Sequence, residues 1–236
     1  KYRLLRRFYR REVSPMRWFF KPFTRDISIG DLREWQHYVF DACTGCARCD
    51  MICPMGINVS TLIRVTREGL GAAGLMPDEL AELRREQDEN DTVFGVDAER
   101  LRALVSQLSA DGIAIPLDKQ NADYMLLTSA IEVLLYPDAL AANARILNKA
   151  GINWTIFSDA FEATNFGYIT GDSPMLKRTI KKLVDKARSG GINTVVVPES
   201  GHAYHVIRWL GANAIKDELP FDVLSMPELI ARELGA

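Results

Sequence analysis

Ala122-Asp123-Tyr124-Met125-Leu126-Leu127-Thr128 opens the half of the chain that decides the fold. Its apolar centre, bounded by polar residues, reads as a buried strand over 122–128. Outward from it, residues 130–135 lead to the turn at Pro137. Residues 138–149 read as a helix, with Asp138 near its start and Gly151 just past its end. A second strand is expected at 154–157, then a long basic helix at 174–188 closed by Ser189-Gly190-Gly191. A third strand at 194–197, a helix at 202–210, a fourth strand at 221–224 and a last helix at 227–234 complete the pattern. Short apolar strands separated by helices imply a parallel sheet covered on both faces, Rossmann-like or flavodoxin-like in its winding.

A sheet of this kind offers its binding surface at the carboxyl ends of its strands. Three loops arrive there: 129–130, 158–167 and 198–205. None contains the glycine fingerprint of a dinucleotide site or a Walker sequence, so a nucleotide cofactor is not supported. Glu199, Ser200 and His202 lie within four positions. Neighbours on one turn point apart, and the flanking residues do not form a nucleophile elbow, so a hydrolase triad is not expected.

Upstream, one stretch holds every cysteine: Cys43-Thr44-Gly45-Cys46-Ala47-Arg48-Cys49-Asp50-Met51-Ile52-Cys53-Pro54. The spacing C-x2-C-x2-C-x3-C-P is the bacterial-ferredoxin run that holds a four-iron, four-sulfur cluster. Gly45 would let the backbone bend close to the inorganic sulfides, and Pro54 would turn the chain away. The competing readings are two disulfides or one structural zinc ion. Loops of two or three residues close poorly as disulfides, and nothing else in the chain has a secreted, cysteine-dense character. Zinc sites usually space two ligand pairs a dozen residues apart or include a histidine. Cys43, Cys46, Cys49 and Cys53 are therefore the expected ligands of one cluster. In two-cluster ferredoxins the fourth cysteine serves the other cluster. With no second run here, four local ligands are favoured over a contribution from a partner.

Around this loop the sequence is helical. Helices are expected at 31–42, at 59–68 with its stop at Gly69, at 77–89 as a charged and mostly solvated helix, and at 98–109. Leu32, Trp35, Val39 and Phe40 either shield the cluster or form ordinary core. Arg48 either favours the reduced cluster or is simply solvated. The expected division is an arm at 1–30, a helical ferredoxin-like domain at 31–112 and an α/β domain at 113–236.

The first 25 residues carry nine Lys or Arg against one acid, Glu12, with Tyr2, Phe8, Tyr9, Trp18, Phe19, Phe20 and Phe23 interleaved. Basic heads and aromatic rings together suit the cytoplasmic face of an anionic membrane. The alternative is an arm packed on this chain or on an acidic partner. A formal net charge of -2 argues against general nucleic-acid binding. No run of some 18 apolar residues is present, and thiols reserved for a cluster fit a reducing, cytoplasmic compartment. The chain begins with Lys and reads as a fragment or a processed form.

Three stretches together, Cys43 to Pro54, Ala163-Thr164-Asn165-Phe166-Gly167 and Pro198-Glu199-Ser200-Gly201-His202-Ala203-Tyr204, resemble the heterodisulfide-reductase-like iron-sulfur oxidoreductases. These include the DsrK-type subunits of sulfite-reducing membrane complexes. The resemblance implies a ferredoxin-like domain followed by a CCG repeat, in a family where such repeats can hold a noncubane cluster. Where the family often reads E-C-G-H-A, this chain has Ser200, so the repeat is expected to keep its fold without a cluster of its own. His202 or Glu199 would then tune a cluster held elsewhere, or serve only the fold. The implied function is electron transfer within a larger, membrane-associated oxidoreductase, with no complete active site on this chain. Its implied partners are other redox subunits or a missing second CCG repeat, and a quinone pool reached through residues 1–25. The rival expectation is a structural or docking subunit whose cluster only stabilises the fold.

Overall fold

The computed structural model describes residues 2–198 and 200–235, with nothing stated for the side chain of Tyr2. Glu199 lies outside the described residues.

The amino-terminal arm is helical: α1 (Tyr2–Phe8) runs into a π-helical turn at Tyr9–Val13, then α2 (Arg17–Phe20) and a 3-10 turn at Lys21–Phe23. Helix α3 (Ile29–Gln36) starts with a reciprocal capping box between Ser28 and Asp31 and continues as a π-helical turn, His37–Asp41. A single helical turn, α4 (Arg48–Met51), lies within the cysteine stretch. Three longer helices follow, α5 (Val59–Ala72), α6 (Asp78–Asn90) and α7 (Ala98–Ala110).

The sheet begins with β1 (Tyr124–Leu126), followed by α8 (Ala130–Leu135), α9 (Pro137–Lys149) and β2 (Trp154–Thr155). Helices α10 (Phe166–Thr170) and α11 (Ser173–Gly190) lead to β3 (Thr194–Val197). Then come α12 (Gly201–His205), a π-helical turn at Val206–Leu210, α13 (Gly211–Ile215), β4 (Asp222–Ser225) and α14 (Met226–Leu234).

All strand pairs are parallel, in the order β2-β1-β3-β4, with Met125 opposite Thr155 on one side and Val195 on the other. The chain thus moves outward from β1 to β2 and crosses back to β3, which leaves a switch point between β1 and β3. Successive side chains of a strand face opposite ways. Leu126 and Val196 pack with Leu101, Leu140, Leu147 and Leu229 on one face, whereas Met125, Leu127, Val195 and Val197 pack with Ile180, Val184 and Val206 on the other. Helices cover both faces, as the continuous apolar strands require.

Several boundaries differ from expectation for identifiable reasons. The first two strands are shorter than 122–128 and 154–157 because their ends bond to loops: Thr128 N–H donates to Phe161 O, and Ile156 pairs with Leu117. Helix α5 passes through Gly69 and stops before Gly74, which supplies the left-handed conformation (φ 71°) that ends helices. Helix α6 is less solvated than its charge suggests. Gln87 is buried, and Arg84, Asp88 and the following Asp91 pair with Asp172, Arg178 and Lys182. Helix α7, expected with the helical part, gives Leu101, Val105 and Leu108 to the core beneath the sheet. Val39 and Phe40 form a small separate core with Leu70, joined by Leu32 and Trp35, so these residues join α3 and its π-helical turn to α5.

Candidate functional site

The cysteine loop, residues 43–53, is a surface turn held from beneath. Gly45 (φ 73°) and Ala47 (φ 57°) are both left-handed, so the backbone reverses twice within three residues. Cys46 and Cys49 are exposed, Cys43 and Cys53 partly so, and all four are free thiols.

Three clamps fix the curl. Arg67, buried in the middle of α5, donates from Nε to Val39 O (2.7 Å), from one terminal nitrogen to Ile169 O (2.6 Å) and from the other to Cys43 O (2.6 Å). Its guanidinium also lies 5.4 Å over the Phe40 ring. Tyr168, buried on α10, donates its hydroxyl to Gly45 O at 2.8 Å. Burial pushes that phenol up to about 12, so it stays a donor at neutral pH. Asp50 accepts from Ser60 N (2.8 Å) and Ser60 Oγ (2.5 Å) and so ties α4 to the first turn of α5. Burial opposes ionisation of Asp50, but these bonds prevail and keep its carboxyl below the ordinary value.

The thiols are not equivalent. The Arg48 backbone N–H and the Thr44 hydroxyl lower Cys46, whereas burial and the neighbouring Asp50 carboxylate raise Cys49. Cys46 is therefore the readier thiolate, the form that ligates metal. Among the described residues, no three His, Cys, Asp or Glu side chains surround a single metal ion. A cubane makes a different demand, because its four thiolates serve four separate irons. Free thiols of one chemical type on a curled loop with donating N–H groups fit that demand. The side chain of Arg48 is exposed.

Replacing Tyr168 with Phe keeps the ring and leaves Gly45 O without its donor. The expected result is a loss of about 1 kcal/mol in urea unfolding with the fold intact.

A second feature opens at the switch point between β1 and β3. A cleft of about 380 Å³ is lined by Ser129 and Ile131 after β1, Thr164 from the 158–167 loop, Tyr136, and Ser200 and His202 after β3. Glu132 turns a carboxylate oxygen inward to Thr128 Oγ1 (2.8 Å) and Ser129 N (2.9 Å). Beside it Glu162 accepts from Ala130 N and Thr164 N, with its carboxyl raised by burial. Gln87 closes the same loop by donating to Thr164 O and accepting from Phe166 N.

Ser200 caps α12 by accepting from Ala203 N, while its hydroxyl also lies 3.0 Å from His202 Nδ1. The Ser200–His202 contact exists, and the cap takes only a lone pair of the serine oxygen, which leaves its O–H free to donate. His205, one turn on, stacks at a tilt against Tyr168 with ring centroids 5.8 Å apart. The three sequence loops thus meet as expected, and α12 stands between the cleft and the residue that clamps the cysteine loop. Arg67, Tyr168, Ser60 and Gln87 were not singled out from sequence. Arg67 left a trace there, a charge between Ile63 and Leu70 on the apolar stripe of a helix.

Burial lowers the pKa of both His202 and His205. Below the ordinary imidazole value of about 6.5 the unfolded chain takes up protons that the folded chain refuses. Stability is therefore expected to fall as pH drops through that value, by no more than about 1.4 kcal/mol per pH unit for each histidine. Urea unfolding between pH 7.5 and 5.5 measures it, and His202→Asn with His205→Asn should flatten the histidine part of the profile.

No known protein family, no curated protein and no solved structure matches this chain.

Proposed function

We propose that the chain is an electron-transfer component that carries one four-iron, four-sulfur cluster on Cys43, Cys46, Cys49 and Cys53. In this reading it serves a larger heterodisulfide-reductase-like oxidoreductase at the cytoplasmic face of a membrane. The observation that carries the reading is the cysteine loop: four free thiols on one left-handed curl, clamped by Arg67, Tyr168 and Asp50. When bound, such a cluster supplies reversible one-electron chemistry with little structural change. The chain's own residues would hold it rigidly. Arg67 and Tyr168 grip backbone carbonyls, so neither competes for a thiolate.

The surface around the loop supports exchange with another protein. Met51 (86% exposed), Ile52 (72%), Met55 and Ile57 form an uncharged apolar rim beside the exposed Cys46 and Cys49.

The arm supports membrane proximity on one side and packing on the other. Arg7 and Arg25 pair with Asp31 at 2.6 and 2.9 Å, and Arg11 pairs with Asp26, which docks the arm on the start of α3. These cations hold the Asp31 carboxyl far below the ordinary range. Trp18 (75% exposed), Phe19 and Phe23 (82%) point away, a ring cluster suited to a headgroup layer. No helix among the described residues is long and apolar enough to cross a membrane.

The test is anaerobic reconstitution with iron and sulfide. Four irons per chain are expected, with a spin-half EPR signal after dithionite that disappears on reoxidation and returns on a second reduction. Cys46→Ser should lose that signal. Zinc uptake instead of iron, or a reconstituted cluster lost on one redox cycle, would remove the relay reading and leave the docking subunit.

A further inference from the structure

The cleft at the switch point is the second feature with the character of a site. It has the size of a small-molecule pocket, for which about 300 Å³ is the usual lower bound, and sits where open α/β sheets bind ligands. Its walls are apolar, formed by Ile131, Tyr136, Ala139, Ala163 and Pro198. Among the described residues no Lys or Arg lines it, so a phosphate or carboxylate would meet no cation. The carboxylate of Glu132 is engaged with Thr128 and Ser129. Ser129 and Thr164 line the cleft as well, and Ser200 with His202 forms the polar end that carries an imidazole. Half-buried, with its pKa lowered by desolvation, His202 in its neutral form carries a proton on one ring nitrogen. The Ser200 hydroxyl lies 3.0 Å from Nδ1 and 3.3 Å from Nε2, and it can satisfy one of them at a time.

From an apolar, cation-free cleft ending in a histidine and a serine, we infer that the cleft binds a neutral, flat carbonyl compound of the quinone class. The ring lies against Tyr136 and Ile131, and a carbonyl oxygen accepts a hydrogen bond at the Ser200–His202 end. The absence of Lys and Arg from the lining favours a neutral ligand, and the hydroxyl and imidazole of Ser200 and His202 offer the donor that a carbonyl needs. The choice of a quinone among such carbonyls rests on the electron-transfer reading above. It is favoured by α12, on which His202 lines the cleft and His205, three residues on, packs against Tyr168 beneath the cysteine loop.

The test uses the oxidised, reconstituted chain, so that no electron passes and binding alone is read. Duroquinone is the probe, because its fully methylated ring leaves no position open for thiol addition. Durene, the same methylated ring without carbonyls, is the comparison, and ligand-detected NMR gives both affinities. Duroquinone is expected to bind about tenfold more tightly than durene, the discrimination of one hydrogen bond. Ala139→Trp, at a partly exposed position in the cleft wall, should abolish binding of both. His202→Phe should remove the tenfold preference while durene still binds. The ring nitrogen resonances of His202 in the unaltered chain should shift with duroquinone and not with durene, a reading independent of any variant. Absence of duroquinone binding, binding that survives Ala139→Trp, or a silent His202 would overturn the inference. The EPR outcome above is unaffected by any of these, so failure of the site and failure of the relay are separable.

Discussion

Arg67→Ala is expected to be among the most destabilising single changes in this chain, lowering the unfolding free energy by about 3–5 kcal/mol. The reason is geometric. One buried guanidinium satisfies carbonyls from three separate places: the π-helical turn before the cysteines, the first cysteine itself and α10. Removing it leaves one buried and two partly buried acceptors without their donor, and a void. At about 2–4 °C per kcal/mol for a domain of this size, thermal unfolding followed by circular dichroism should shift down by roughly 10 °C. Arg67→Lys should recover only part of this, since a single ammonium on a flexible stem cannot span three carbonyls that a planar fork reaches. A loss below 1 kcal/mol for Arg67→Ala would mean that the three carbonyls find other donors.

Gly167→Ala should cost about 3 kcal/mol, the upper end for overpacking. A β-carbon there would lie 2.3 Å from Leu176 N and 2.8 Å from Leu176 Cα. Both atoms belong to the backbone of α11, so the clash cannot be relieved by turning a side chain. Helices α10 and α11 would have to move apart, and Tyr168, next in sequence, would be carried off Gly45 O. Gly69→Ala is the internal comparison. Gly69 lies within α5 with open space around its α-carbon, and alanine there should stabilise by up to about 1 kcal/mol. Chemical unfolding of the two variants side by side measures the contrast. Equal effects would show that α10 tolerates displacement.

What sequence could and could not reveal divides along the range of the interactions. Tyr124 to Leu126 and Thr194 to Val197 announce themselves because a strand buried on both faces needs a continuous apolar run. Ser129 with Glu132, and Ser225 with Glu228, mark helix starts within four residues, and both capping boxes are present. The cysteine spacing is equally local. The clamps are not: Gly45 and Tyr168 are 123 residues apart, and Arg67 reaches Ile169 across 102. No periodicity connects such partners. Helix α6 misled for a related reason, since Gln87 in a run of charges gives no sign that it will close the 164–166 loop. Packing of the arm on this chain was one of the two sequence expectations, but Asp31 as its partner was hidden, because nine cations outnumber the few that a single acid could hold.

The sequence distance between the thiols and their last clamp also sets a clock on biosynthesis. All four thiols are present once Cys53 has emerged from the ribosome, and Ser60 and Arg67 follow soon after. Tyr168 follows Gly45 by 123 residues, which at 5–20 residues per second is roughly 6–25 seconds of synthesis. During that interval the loop is still pliable, so the proposed cluster would be loaded before its last clamp forms, and the thiols are open to oxidation for as long. In the reading proposed above, metal delivery would thereby be separated in time from completion of the sheet. A nascent chain stalled before α10 would present a full set of cysteines on a loop without its final anchor.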